Sequence, residues 1–173
     1  MLNKANSKQS LLKILKDKMS RGNVIHILFV CSGNIMRSPI AEMLFEKMIQ
    51  GHSCQSLIKS ESGAVVYHNS RLMGETRQIL LEEGISSKRL DSFYPRHISD
   101  EPELFKRADL ILVMEHNHLS ALGELKNKSF LLKDFTIDVN EEIGDPYFGA
   151  SFEEVIEEIK DCLEVLTTQL CSN

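Results

Sequence analysis

The 173-residue chain has no uninterrupted apolar stretch near the ~18 residues that span a bilayer. Its first residues include basic side chains but no apolar core of the signal-peptide kind, so secretion is not expected. No internal repeat or low-complexity tract is present. The four cysteines, Cys31, Cys54, Cys162 and Cys171, form no C-x-x-C pair. That spacing speaks against a structural zinc and against a disulfide scaffold, and it suits a reducing cytoplasm. Outside one end, basic residues are outnumbered by acidic ones. Residues 1–22 hold Lys4, Lys8, Lys13, Lys16, Lys18 and Arg21 against Asp17 alone, so the rest is more acidic than the net charge of −5. An acidic body disfavours nucleic acid as a partner. Anionic substrates remain open, because a phosphate site depends on its local field.

With 42% hydrophobic residues, one domain with a sizeable core is expected. Residues 23–173 read as that domain and residues 1–22 as an extension. Leu11, Leu12, Ile14, Leu15 and Met19 would share one face of a helix in it, with Lys13, Lys16 and Asp17 opposite. Such a helix docks on this domain or on a second subunit, lies on an anionic surface, or stays a loose tail.

Ile25 to Val30 is an apolar run of strand type, and Ile40 to Ile49 repeats apolar residues at helical spacing. Between them lies Cys31-Ser32-Gly33-Asn34-Ile35-Met36-Arg37, followed by Ser38-Pro39. A cysteine thus ends a buried strand on a short loop that enters a helix amino terminus. Outward-pointing amides and the positive helix end favour a tetrahedral oxyanion there, and favour a thiolate over a thiol. Gly33 and Asn34 are residue types that tolerate left-handed backbone. Ser38 suits a helix cap and Pro39 the first helical position. Arg37 adds a planar fork of donors for two phosphoryl oxygens. A C-x5-R pattern alone is weak evidence, since most buried cysteines are inert packing. The surrounding turn chemistry is what gives it weight.

Later elements alternate. Leu57–Gly63 reads as a strand, Arg71–Glu83 as a helix, 86–100 as a loop and Glu101–Arg107 as a short helix. Leu110–Met114 is a strand buried on both faces, Leu119–Leu125 is helical and Phe130–Leu132 is a fourth strand. A final helix carries the stripe Phe152, Val155, Ile156, Ile159, Leu163, Leu166 and Leu170, with Glu153, Glu154, Glu157 and Glu158 outside. The expected fold is α/β: a doubly wound, four-stranded parallel sheet flanked by helices, with a phosphate-binding loop after strand 1. Ile143-Gly144-Asp145-Pro146-Tyr147-Phe148-Gly149 is a turn bearing a carboxylate beside two aromatics. Asp145 would supply the proton donor that the cysteine loop lacks. Tyr147 and Phe148 are read as slot walls rather than core. His116-x-His118 is read as two solvent-facing imidazoles rather than a metal pair.

The chain resembles the low-molecular-weight protein tyrosine phosphatases in VCSGNIMRSPIAE (30–42), Glu61-Ser62, ADLILVME (108–115) and Asp145-Pro146-Tyr147, in family order. The resemblance implies hydrolysis of aryl phosphate monoesters through a cysteinyl-phosphate on Cys31, with Arg37 as clamp and Asp145 as acid and base. It also implies that Ser32, Gly33, Asn34, Ile35 and Met36 cradle the phosphate. Ser38 would donate to the sulfur, Asn34 would order the loop and Ser62 would support that network. No metal or cofactor is expected. The partner would be a phosphotyrosine-containing protein or peptide, with inorganic phosphate released in the cytoplasm. Met36 stands where many members carry a second cysteine. Tyr67 and His68 compete for the slot rim, and Arg96 matches the family loosely. Arsenate reduction would need cysteines between Cys54 and Cys162. Protein-arginine phosphatases tend to carry Thr where Ile35 stands. A non-catalytic phosphate-binding module would need neither thiolate nor acid.

Overall fold

The computed structural model describes residues 4–136 and 140–172. A single sheet of four parallel strands runs in the order β2-β1-β3-β4. The strands are β1 (Ile25–Cys31), β2 (Ile58–Ala64), β3 (Leu110–Val113) and β4 (Ser129–Leu131). Helices α1 (Lys4–Ser20), α2 (Arg37–Met48), α3 (Gly74–Glu82), α4 (Ser87–Asp91), α5 (Pro102–Arg107), α6 (His116–Ala121) and α7 (Phe152–Cys171) surround it. The expected fold class is the observed one.

The two-residue period of β1 splits the core in two. Ile25, Ile27, Phe29 and Cys31 face a layer built from α1, α2 and α7. Leu28 and Val30 face a smaller core with Leu104 and Phe105 of α5 and Leu122. At Gly63 a Cβ would stand 2.5 Å from the Phe105 ring, so only glycine lets α5 close on β2.

The apolar stripe of α7 is buried at Val155, Ile156, Ile159, Leu163, Leu166 and Leu170, and Phe152 is half-buried. Helix α1 packs against α7 and β1 through Leu15 and Met19. Ile14 departs from the expected face and is 60% exposed, because one residue back from Leu15 turns it about 100° away. Lys18 holds Asp109 through both carboxylate oxygens at 2.8 Å, tying α1 to the entry of β3.

Three local expectations are corrected. Segment 86–100 contains α4, capped by Ser86 Oγ accepting from Arg89 N–H at 3.2 Å; five residues are too few to show a period. Helix α2 starts at Arg37 with Met36 at the cap, so neither Ser38 caps it nor is Pro39 its first residue. Pro39 still falls in the first turn, where a missing N–H leaves no bond unmade. Cys54 and Cys171, 117 residues apart, form a disulfide. Spacing along the chain could not reveal this pair. Cys54 precedes β2 and Cys171 ends α7, and only the packing of α7 over the sheet brings them together.

Candidate active site

In a 2-1-3-4 sheet the chain leaves β1 and β3 toward opposite faces, which opens a crevice at their carboxyl ends. Cys31 is the last residue of β1, and Glu115 follows β3. Between them lies a cleft of about 570 Å³.

The loop that leaves Cys31 is pinned from outside. Its carbonyls at Cys31, Ser32, Gly33 and Ile35 accept from Val65 N–H, Val66 and Tyr67 N–H, Asn69 Nδ2 and Met73 N–H respectively. In a trans peptide the following N–H points the other way, so the amides turn inward. Asn34 N–H shows this directly, donating to Cys31 Sγ at 3.3 Å. Only Asn34, at φ 53°, uses the left-handed backbone expected of both Gly33 and Asn34. Gly33 serves another purpose: it leaves room for Asn69 Nδ2, which a Cβ there would meet at 2.8 Å.

Behind the loop a buried network fixes it. Asn34 Nδ2 donates to Ser38 Oγ at 3.0 Å and to Ser62 Oγ at 2.8 Å, and its Oδ1 accepts from Arg96 N–H at 2.9 Å. Ser38 Oγ lies 3.0 Å from Cys31 Sγ. Since that hydroxyl already accepts from Asn34, its hydrogen is available to the sulfur. Ser62 Oγ donates onward to Glu42. Burial raises the Glu42 carboxyl above the usual range, outweighing Arg96, Ser62 and Arg89. Arg96 therefore sits behind the loop, its guanidinium on Glu42 and Glu61, and not in the cleft.

Arg37 is buried and holds two carboxylates. Its Nη1 is 2.5 Å from Glu115 Oε1, and its Nη2 donates to Asp145 Oδ2 at 2.6 Å. Nη1 also donates to the Ile143 carbonyl at 3.1 Å. Asp145 caps the turn Pro146–Phe148, with Oδ1 accepting from Tyr147 N–H at 3.0 Å. The cleft walls include Ser32, Gly33, Ile35 and Met36 on the loop side. Tyr147 and Phe148, 73% and 88% exposed, stand opposite. Tyr67 and His68 both reach the rim, so the two candidates share that place.

Two participants escaped the sequence reading. Glu115 ends the segment 108–115, and its place after the strand beside β1 is the signal that points to the site. His118 is fully buried, contrary to the expected exposed pair, while His116 is exposed on Glu142. His118 Nδ1 accepts from Glu115 N–H at 3.2 Å, so the neutral ring carries its hydrogen on Nε2, which donates to Ser32 Oγ at 2.9 Å. Burial, with the Arg37 charge nearby, pushes its pKa down to about 4.

The sequence profile described as "Low molecular weight phosphotyrosine protein phosphatase" matches residues 26–173. The chain belongs to that family. Among its relatives, the low molecular weight protein-tyrosine-phosphatase YfkJ of Bacillus subtilis is 32% identical over 155 residues, 85% of this chain and 96% of the relative. A protein-arginine-phosphatase of the same organism is 31% identical over 148 residues, 83% of this chain and 93% of the relative. The crystal structure of YfkJ superposes with a TM-score of 0.75 at 30% identity, covering 87% of this chain and 96% of that one. As a member of this phosphatase family the chain is a cysteine-based hydrolase. Among the described residues, no helix is long and apolar enough to cross a membrane.

Proposed function

We propose that the protein hydrolyses phosphotyrosine monoesters in proteins or peptides through a cysteinyl-phosphate on Cys31. One observation carries the reading. Asp145 is held by Arg37, the residue that closes the cysteine loop, and both line the same cleft as Cys31, Tyr67, Tyr147 and Phe148.

The Cys31 thiolate attacks phosphorus in line, forming S–P as the P–O bond to the phenol breaks. The inward amides and Arg37 hold the equatorial oxygens, where charge is spread in the transition state. An arriving phosphoryl group replaces Asp145 on Arg37, and Glu115 keeps the guanidinium aimed. Released from the guanidinium, Asp145 takes up a proton from solvent and gives it to the departing oxygen. Water then attacks phosphorus and passes a proton back to Asp145. The S–P bond breaks, and inorganic phosphate and the thiolate are released. Ser38 and the Asn34 amide stabilise that thiolate through the contacts already made.

Relatives include both tyrosine and arginine phosphatases, so the substrate class is the point to test. Ile35, Tyr147 and Phe148 offer apolar contact to a flat ring, and Ile35 has no hydroxyl for a guanidinium. Comparing kcat/KM on matched phosphotyrosine, phosphoserine and phosphoarginine peptides decides it. Preference for phosphotyrosine is expected, and an equal or reversed order rejects it.

A further inference from the structure

The cleft rim carries a side-chain cluster that the phosphoryl chemistry leaves unused. His68 comes from the loop after β2. His97 comes from the segment that bridges back to Ala64 at the end of β2. Their rings lie with centroids 3.8 Å apart. Asp100 completes the group, its Oδ2 3.3 Å from His68 Nε2. One ligand atom from each of the three lies within 4.8 Å of the other two.

Ser99 Oγ marks where they converge. It is 3.0 Å from His68 Nε2, 2.9 Å from His97 Nδ1 and 3.1 Å from Asp100 Oδ1. We propose that His68, His97 and Asp100 form a binding site for a divalent transition metal ion, with zinc the best match.

The donor set is the first reason. Two imidazoles and one carboxylate suit a four-coordinate zinc or cobalt(II), with water as the fourth ligand and the ion taking the place that the Ser99 hydroxyl now fills. Geometry is the second. Bonds of about 2.0–2.1 Å in a tetrahedron space the ligand atoms about 3.4 Å apart, and here they lie within 4.8 Å of one another; binding an ion would turn the two rings, now 31° apart in plane, out of their face-to-face contact. His68 and Asp100 are both more than half exposed, so solvent and a dissolved ion reach them.

An ion here would join two separate segments beside the substrate. His68 adjoins Asn69, whose side chain holds the Gly33 carbonyl of the cysteine loop. Occupancy would therefore clamp the rim to the segment carrying His97 and Asp100. The site does not depend on which phosphoryl substrate the cleft accepts.

Zinc also binds cysteine thiolates, so the test uses the full-length protein carrying Cys31→Ser. Zinc chloride is titrated by calorimetry, and cobalt(II) is followed by its visible absorption. The expected result is one equivalent bound, with affinity falling roughly tenfold or more in both His68→Ala and His97→Ala. His68→Ala and Asp100→Asn alter exposed side chains and decide the matter if His97→Ala folds poorly. Absence of stoichiometric binding, or binding unchanged by these substitutions, overturns the proposal.

Discussion

Asp145 and Arg37 are partners across the cleft, Oδ2 to Nη2 at 2.6 Å, in a protein whose proposed chemistry requires them to separate. The pair joins the turn before α7 to the start of α2, which lie 108 residues apart. While no phosphoryl group is present Arg37 thus carries two carboxylates, and when Asp145 leaves, Glu115 still pairs the buried guanidinium.

The first prediction concerns that carboxylate. Asp145→Asn keeps the shape of the turn but cannot donate the proton. Hydrolysis should slow by about 10²–10⁴-fold for phosphates with poor phenol leaving groups, and far less for activated ones. Rates across a series of substituted phenyl phosphates check this. A uniform loss would mean that Asp145 only shapes the turn.

His118 predicts a pH dependence of stability. Its folded pKa of about 4 lies below the ~6.5 of an unfolded histidine, so between these values the unfolded chain binds the extra proton. Stability from this group is fully present above about pH 6.5 and is lost as pH falls toward 4, by about 3 kcal/mol in all. Denaturant unfolding of the native protein and His118→Gln at pH 7.5 and pH 5 measures it. The variant should lose less stability on acidification, and equal slopes would reject the assignment.

The disulfide lies at the opposite end of the sheet from the site. Cys54 precedes Ile58, which pairs with Ile25, whereas Cys31 pairs with Ala64. Seven strand residues separate the two ends by about 20 Å. Cys54→Ser should therefore lower stability by about 2–4 kcal/mol while leaving kcat/KM on para-nitrophenyl phosphate nearly unchanged. Thermal unfolding with matched kinetics tests both halves.

Residues 1–22 are proposed to serve stability rather than chemistry. Removing them exposes the α7 surface that Leu15 and Met19 cover and breaks the Lys18–Asp109 pair. A chain starting at Asn23 should melt earlier yet keep most of its specific activity below its melting temperature. Inactivity in a folded truncation would show that α1 shapes the cleft.

The parts legible in the sequence are those coded by contiguous residues. Cys31 through Ser38 reads as a strand-to-helix turn because each residue's backbone preference is local, and the α7 stripe reads as a helix because it runs for five turns. Glu115 and His118 were obscure for the opposite reason. Each acts through a partner on another strand's loop, Arg37 and Ser32, and nothing in its own neighbourhood announces it. The Cys54–Cys171 bond is the extreme case, formed only once α7 lies over the sheet. Short α4 carries too few residues for any period, although Ser86 was a readable cap.

The central claim is covalent catalysis by Cys31, and Cys31→Ser with para-nitrophenyl phosphate tests it most directly. Turnover should vanish, while inorganic phosphate or vanadate still binds, because Arg37 and the loop amides remain. Substantial residual hydrolysis in that variant would contradict a cysteinyl-phosphate mechanism.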